Sequence, residues 1–182
     1  MTPSAFQLVS EMNTAFGNPQ GDPHNIDWIR TRNQALNIFD ECAELMVGLG
    51  VTNPEDQAKL KVLIAQIKQH CIDSFEGTPN LDKVRDASRD INVFSDGVEH
   101  FMGIDGDRDM QAVITGVMSR FIKDDEDKAA TIAAHAAKGV TQVYFEGEYP
   151  KMVMKSLVDQ PDAPKGKFLK SASYKEPVFY TP

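Results

Sequence analysis

Cysteine is scarce in this chain: Cys42 and Cys71 are the only two among 182 residues. That excludes a disulfide framework. Both fall in stretches that read as helices, and are expected as reduced, small buried hydrophobes of a cytoplasmic protein. Long apolar runs are missing as well. Nothing approaches the roughly 18 consecutive apolar residues of a membrane span. Met1 to Ser10 has neither the basic start nor the apolar stretch of a secretory signal. Positive charge is in deficit, 19 Lys and Arg against 27 Asp and Glu, for a net charge of −8. A duplex is bound by neutralising its phosphates with Lys and Arg, so nucleic acid is excluded as a partner. A small phosphorylated ligand would need metal ions to approach such an anion. The four histidines lack ligand spacing for zinc. No G-x-x-x-x-G-K-[ST] loop is present, which removes P-loop chemistry.

What is present is helical periodicity in a chain of one-domain length. Phe6, Val9, Met12 and Phe16 recur at spacings of three and four, predicting a helix over Pro3–Phe16. Asp27 is a candidate N-cap for a helix from Trp28 to Leu49 with Leu36, Phe39, Ala43 and Met46 on one face. Asn53-Pro54 opens a third, to Phe75. The fourth spans Leu81–Met102 with Val84, Ala87, Ile91, Phe94 and Val98 as its expected buried stripe. A fifth covers Arg108–Ile122, and an Ala-rich stretch, Lys128–Lys138, stops at Gly139, a natural C′ glycine. Val140–Phe145 is the one expected strand, being β-branched and aromatic. From Asp159 the prolines 161, 164, 177 and 182 predict an extended arm. The expectation is an all-α fold, a bundle of about five helices with a short strand segment. It forms a single domain with core helices over 1–122, an insertion at 123–158 and the arm at 159–182.

Certain carboxylates stand out from this pattern. Glu41 and Glu44 are three apart, so they share a helix face. Glu41 also lies on the otherwise apolar line of Ile38, Cys42 and Leu45, where a lone charge is costly. Asp86 and Asp90, four apart, form a like-charge pair that weakens a helix. Two helices presenting two inward carboxylates each would make a cage of hard oxygens suited to Mg²⁺ or Mn²⁺. The alternative is a pair of solvated faces, with Arg85 and Arg89 neutralising the aspartates locally.

Four stretches, taken in order, have a specific likeness: Phe6–Gly17, Asp40-Glu41-Cys42-Ala43-Glu44-Leu45, Val84–Asp105, and Gly166-Lys167-Phe168-Leu169-Lys170-Ser171 with Tyr174 and Pro177. Together they resemble the MazG-like, phosphoribosyl-ATP pyrophosphohydrolase-like all-α nucleoside triphosphate pyrophosphohydrolases of the phage type. The resemblance implies hydrolysis of a (d)NTP to the monophosphate and diphosphate, on a deoxynucleotide such as dGTP or dATP, in nucleotide-pool control or modified phage DNA synthesis. It implies Glu41, Glu44, Asp86 and Asp90 as metal ligands, with Glu41 and Asp40 catalytic, Asp40 holding a metal-bound water or acting as base. Ala87 stands where the family's E-x-x-D motif has its glutamate, and Asp86 is the substitute. A triphosphate substrate calls for positive side chains around the departing diphosphate, for which Arg120, Lys167 and Lys170 are the candidates, with Ser171 and Tyr174 as candidate hydrogen-bond partners of phosphate or sugar. A homodimer or homotetramer is implied, in the cytoplasm of the host if the chain is phage-encoded. The competing readings are phosphoribosyl-ATP hydrolysis and a non-catalytic helical interaction module.

Overall fold

A computed structural model describes residues 3–179; Met1, Thr2 and the end of the arm, Tyr180 to Pro182, lie outside the described residues. The described chain is mostly helical, with a small sheet. In order it forms α1 (Ala5–Ala15), α2 (Trp28–Gly48), α3 (Pro54–Asp73), α4 (Leu81–Met102), α5 (Gly106–Met118) and α6 (Asp125–Ala136). Three strands follow, β1 (Val143–Glu146), β2 (Val153–Ser156) and β3 (Phe168–Leu169). Each helix start has a chemical cause where a cap is recorded. Ser4 and Gln7 form a capping box on α1, and the side chains of Asp27, Asn53, Asp105 and Asp124 accept from the first-turn amides of α2, α3, α5 and α6.

Internal contacts divide the chain into two compact units, one of residues 21–92 and one of 1–20 with 93–182. In the first, α2 packs on α3. Leu36 and Ala43 are the buried residues of α2, while α3 buries none completely. Lys68 on α3 reaches Asp40 on α2 at 2.5 Å. The Arg32 guanidinium lies 4.6 Å above the Phe75 ring and donates to the carbonyls of Phe75 and Gly77. Residues 81–92 of α4 are exposed throughout. The expected buried stripe on α4 is therefore corrected: its periodicity gives an apolar face, but this chain covers little of it. Cys42 is exposed rather than buried, and Cys71 is partly buried.

In the second unit α1 packs on α5. Phe16, at the end of α1, stacks on Phe121 at 4.6 Å and meets Phe168 edge-on at 4.9 Å. The sheet is antiparallel with order β1-β2-β3, setting Phe145 opposite Met154 and Met154 opposite Leu169. Ile122, Val140, Met154, Ala163 and Leu169 form its buried core. One expected strand has become three, because β2, as long as β1, has Val-Met-Lys-Ser with no aromatic residue to mark it, and β3 is only two residues long. The expected insertion and arm are also joined, since β1 and β2 come from the former and β3 from the latter.

Beyond β3 the chain runs along α5. A Cβ at Gly116 would sit 3.0 Å from Pro177 Cγ and 3.2 Å from the Lys175 carbonyl, so the arm lies directly on this glycine. Gly116→Val is expected to lift the arm off α5 and speed tryptic cleavage after Lys175 several-fold. An unchanged cleavage rate would mean that the contact does not hold the arm.

Candidate functional site

The sequence-marked residues fall into two groups. The first lies on α2 and α4. Glu41, Glu44, Asp86 and Asp90 are all exposed, which corrects the expectation that they point inward. The physical reason is visible on α2, whose buried positions are Leu36 and Ala43. Exposure removes the desolvation cost that a charge on the Glu41 line would otherwise carry. Arg85 pairs with Asp82 at 3.9 Å, not with Asp86. Among the described residues, none of the four carboxylates has a hydrogen bond or ion pair. Asp40 differs, since the Lys68 ammonium already neutralises it.

As oxygen donors, four unpaired carboxylates suit a hard divalent cation. Among the described residues, however, no three His, Cys, Asp or Glu side chains come together in a group that would hold an ion. The donor chemistry fits Mg²⁺ or Mn²⁺; a finished cage is not formed.

The second group is brought together. Arg120 follows the C-cap of α5, Ser119, and Lys170 follows β3. Ser171 ties the two segments: its Oγ donates to the Ser119 carbonyl at 2.9 Å and its amide to the Arg120 carbonyl at 3.3 Å. The Lys170 ammonium sits 4.0 Å from the centre of the Tyr174 ring, and the Arg120 guanidinium 5.7 Å from it. Cations over an aromatic face are attracted to its quadrupole. Arg120 Nε is buried without a hydrogen-bond partner. Glu176 completes the cluster, accepting from Tyr174 Oη at 2.9 Å and from Lys170 at 3.2 Å. Ser171 is buried, so it positions the arm and offers little surface to a ligand. Lys167 stands apart, with its ammonium donating to the Asp162 carbonyl at 2.6 Å.

Two anchors hold this arm against α6. Asp127 accepts from the Ser173 amide at 3.1 Å and the Ser173 hydroxyl at 2.9 Å, and Thr131 Oγ1 accepts from the Ala172 amide at 2.8 Å. The sequence reading missed Asp127, Ser119 and Glu176. Asp127 follows the N-cap Asp124 by three, a capping-box position that could have been noticed. Glu176, alone between Lys175 and Pro177, gives no signal.

The electrostatics follow from these contacts. Hydrogen bonds from Tyr174 and Lys170 hold the Glu176 carboxyl below its usual range. Burial opposes charge on Lys170, but its bonds to Tyr174 and Glu176 outweigh that and raise its pKa. A carboxyl depressed in the folded state contributes stability above its unfolded pKa and loses it as pH falls through the folded value. The Tyr174 ring resonances are therefore expected to shift only below the ordinary glutamate pKa of about 4.3. A shift centred at that ordinary value would show that the Glu176 contacts are not made in solution.

No protein-family model matches the sequence, and no curated protein or solved structure matches it either.

Proposed function

We propose that the chain is a metal-dependent nucleoside triphosphate pyrophosphohydrolase with an all-α, MazG-like helical core, acting in the cytoplasm as a homodimer or homotetramer. The observation that supports this reading best is the gathering of Arg120, Lys170 and Tyr174. Arg120 lies far along the chain from Lys170 and Tyr174, yet the three candidate substrate-binding side chains share one place. In this reading Glu41, Glu44, Asp86 and Asp90 would hold Mg²⁺ or Mn²⁺, which when bound neutralises a triphosphate and lowers the pKa of water. Arg120 and Lys170 supply positive charge to the phosphates, Tyr174 offers a ring face and hydroxyl to the nucleoside, and Ser171 holds the arm in position. Glu176 occupies the Lys170 ammonium and must yield it, in whole or part, to an incoming phosphate. Asp40 would act as base or hold a metal-bound water only on release from the Lys68 ammonium that now neutralises it. The substrate is a (deoxy)nucleoside triphosphate, with dGTP or dATP favoured.

The test is diphosphate release from every common NTP and dNTP and from phosphoribosyl-ATP, with and without Mg²⁺. Mg²⁺-dependent release from one deoxynucleotide is the expected result. Release from phosphoribosyl-ATP alone would replace the substrate. Silence across the panel from folded protein would overturn the activity and favour a helical interaction module, a reading that draws on the exposed apolar residues of α4.

A further inference from the structure

The cluster at the end of the arm holds more positive charge than it uses. Arg120 and Lys170 bring a guanidinium and an ammonium to the ring of Tyr174. Among the described residues, Glu176 is the one carboxylate bonded to them, with Oε2 accepting from Tyr174 Oη at 2.9 Å and Oε1 from Lys170 at 3.2 Å. The Arg120 guanidinium has no hydrogen bond or ion pair among the described residues, and its Nε is buried. A buried donor without a partner is costly, and it marks a place where an acceptor would be taken up. Two cations thus face one carboxylate, in a chain whose net charge is −8. That carboxylate is also placed to leave. The Lys175 amide donates to Ser119 Oγ at 2.8 Å and Pro177 rests on Gly116, so the backbone is held on either side of Glu176. The Glu176 side chain is 74% exposed and that of Lys170 48%. An ion pair so open to water is weak, and side-chain rotation breaks it without moving the arm.

We propose that Glu176 is a built-in competitor for the anion that this cluster binds, and so sets the affinity of the site. The inference rests on the proposed function, which makes that anion a phosphate, and adds how the same site is regulated. Glu176 gives one oxygen to Lys170 and the other to Tyr174, as two oxygens of a phosphate would. Because it is tethered six residues from Lys170, it stands at a high effective concentration, and each incoming phosphate must displace it. A terminal phosphate has a third oxygen, which a carboxylate lacks. With it the phosphate can engage the Arg120 guanidinium that Glu176 leaves unbonded, a charge-assisted contact that favours the exchange. Weakly bound anions are thereby kept off Lys170. When diphosphate departs, the carboxylate returns to its place, which favours release of the product.

Inorganic diphosphate, titrated without metal into the full chain and followed by the Tyr174 ring resonances, measures the affinity of the cluster. Glu176→Gln keeps the size and the acceptor for Tyr174 but removes the charge. It is expected to bind diphosphate about three- to fivefold tighter, the scale of an exposed ion pair. Lys170→Gln is expected to lose most of the binding. The Ala172 and Ser173 amide resonances, set by Thr131 and Asp127, should stay in place in Glu176→Gln. Their movement would make Glu176 a fastening of the arm and would overturn the inference. So would an affinity unchanged or weakened by Glu176→Gln, a Lys170→Gln chain that binds as the wild type does, or Tyr174 resonances that diphosphate moves in no chain. Hydrolysis of the nucleoside triphosphate panel is measured on the same proteins. Tighter diphosphate binding by Glu176→Gln, with no turnover in any chain, leaves the competitor standing and removes the enzyme. Turnover with an affinity indifferent to Glu176 removes the competitor alone.

Discussion

Asp90→Asn is expected to lower Mg²⁺-dependent diphosphate release about a hundredfold or more, equivalent to roughly 3 kcal/mol of lost transition-state stabilisation. Asparagine keeps the size and one oxygen but removes the negative charge that a hard cation requires. Folding should not suffer. Asp90 is exposed, and the substitution removes a like-charge neighbour four residues from Asp86, worth a few tenths of a kcal/mol to the helix. Glu41→Gln should behave likewise on α2. Circular dichroism and steady-state kinetics on the same preparations decide the matter. Full activity in both variants, or unfolding in either without added metal, would remove these carboxylates from the metal shell.

The helices were legible because their signals are local. Asp27 and Asn53 cap α2 and α3 where their side chains and positions predict, and α4 occupies the predicted Leu81–Met102. A cap needs only its own first turn, and a helical stripe only its own periodicity. The sheet depends on partners distant in sequence. β3 is two residues within a proline-rich arm, and only the ladder to Met154 and Lys155 makes it a strand. The same distinction explains α4. Periodicity identifies an apolar face but not what covers it, so Phe94 and Phe101 read as core and are exposed. Glu41 read as a costly inward charge for the same reason. Of the cationic cluster, Lys170 and Tyr174 lie in a stretch that carries the sequence resemblance, while Arg120 was singled out only by the need for positive charge beside a triphosphate. Glu176 and Asp127 became visible only when the arm was seen folded back onto α5 and α6.

The core of the small sheet is where a single substitution should cost most stability. Met154 is fully buried and sits at the middle of the ladder, opposite Phe145 on one side and Leu169 on the other. Met154→Ala is expected to destabilise this unit by about 2–5 kcal/mol, the transfer loss plus the cavity left among Ile122, Val140, Ala163 and Leu169. Met154→Leu, close in volume, should cost less than about 1.5 kcal/mol. Urea denaturation measures both. The consequence reaches further than the core, because Lys170 and Ser171 follow Leu169 directly and take their positions from β3. When β3 loosens, the two cations lose their shared place over Tyr174. Under the proposed activity, Met154→Ala should then raise the KM for nucleotide well before it lowers kcat, whereas a cluster that only ties the arm down would leave KM unchanged. The sheet is in this sense the support of the arm, and its stability sets how firmly Arg120 and Lys170 are held beside Tyr174.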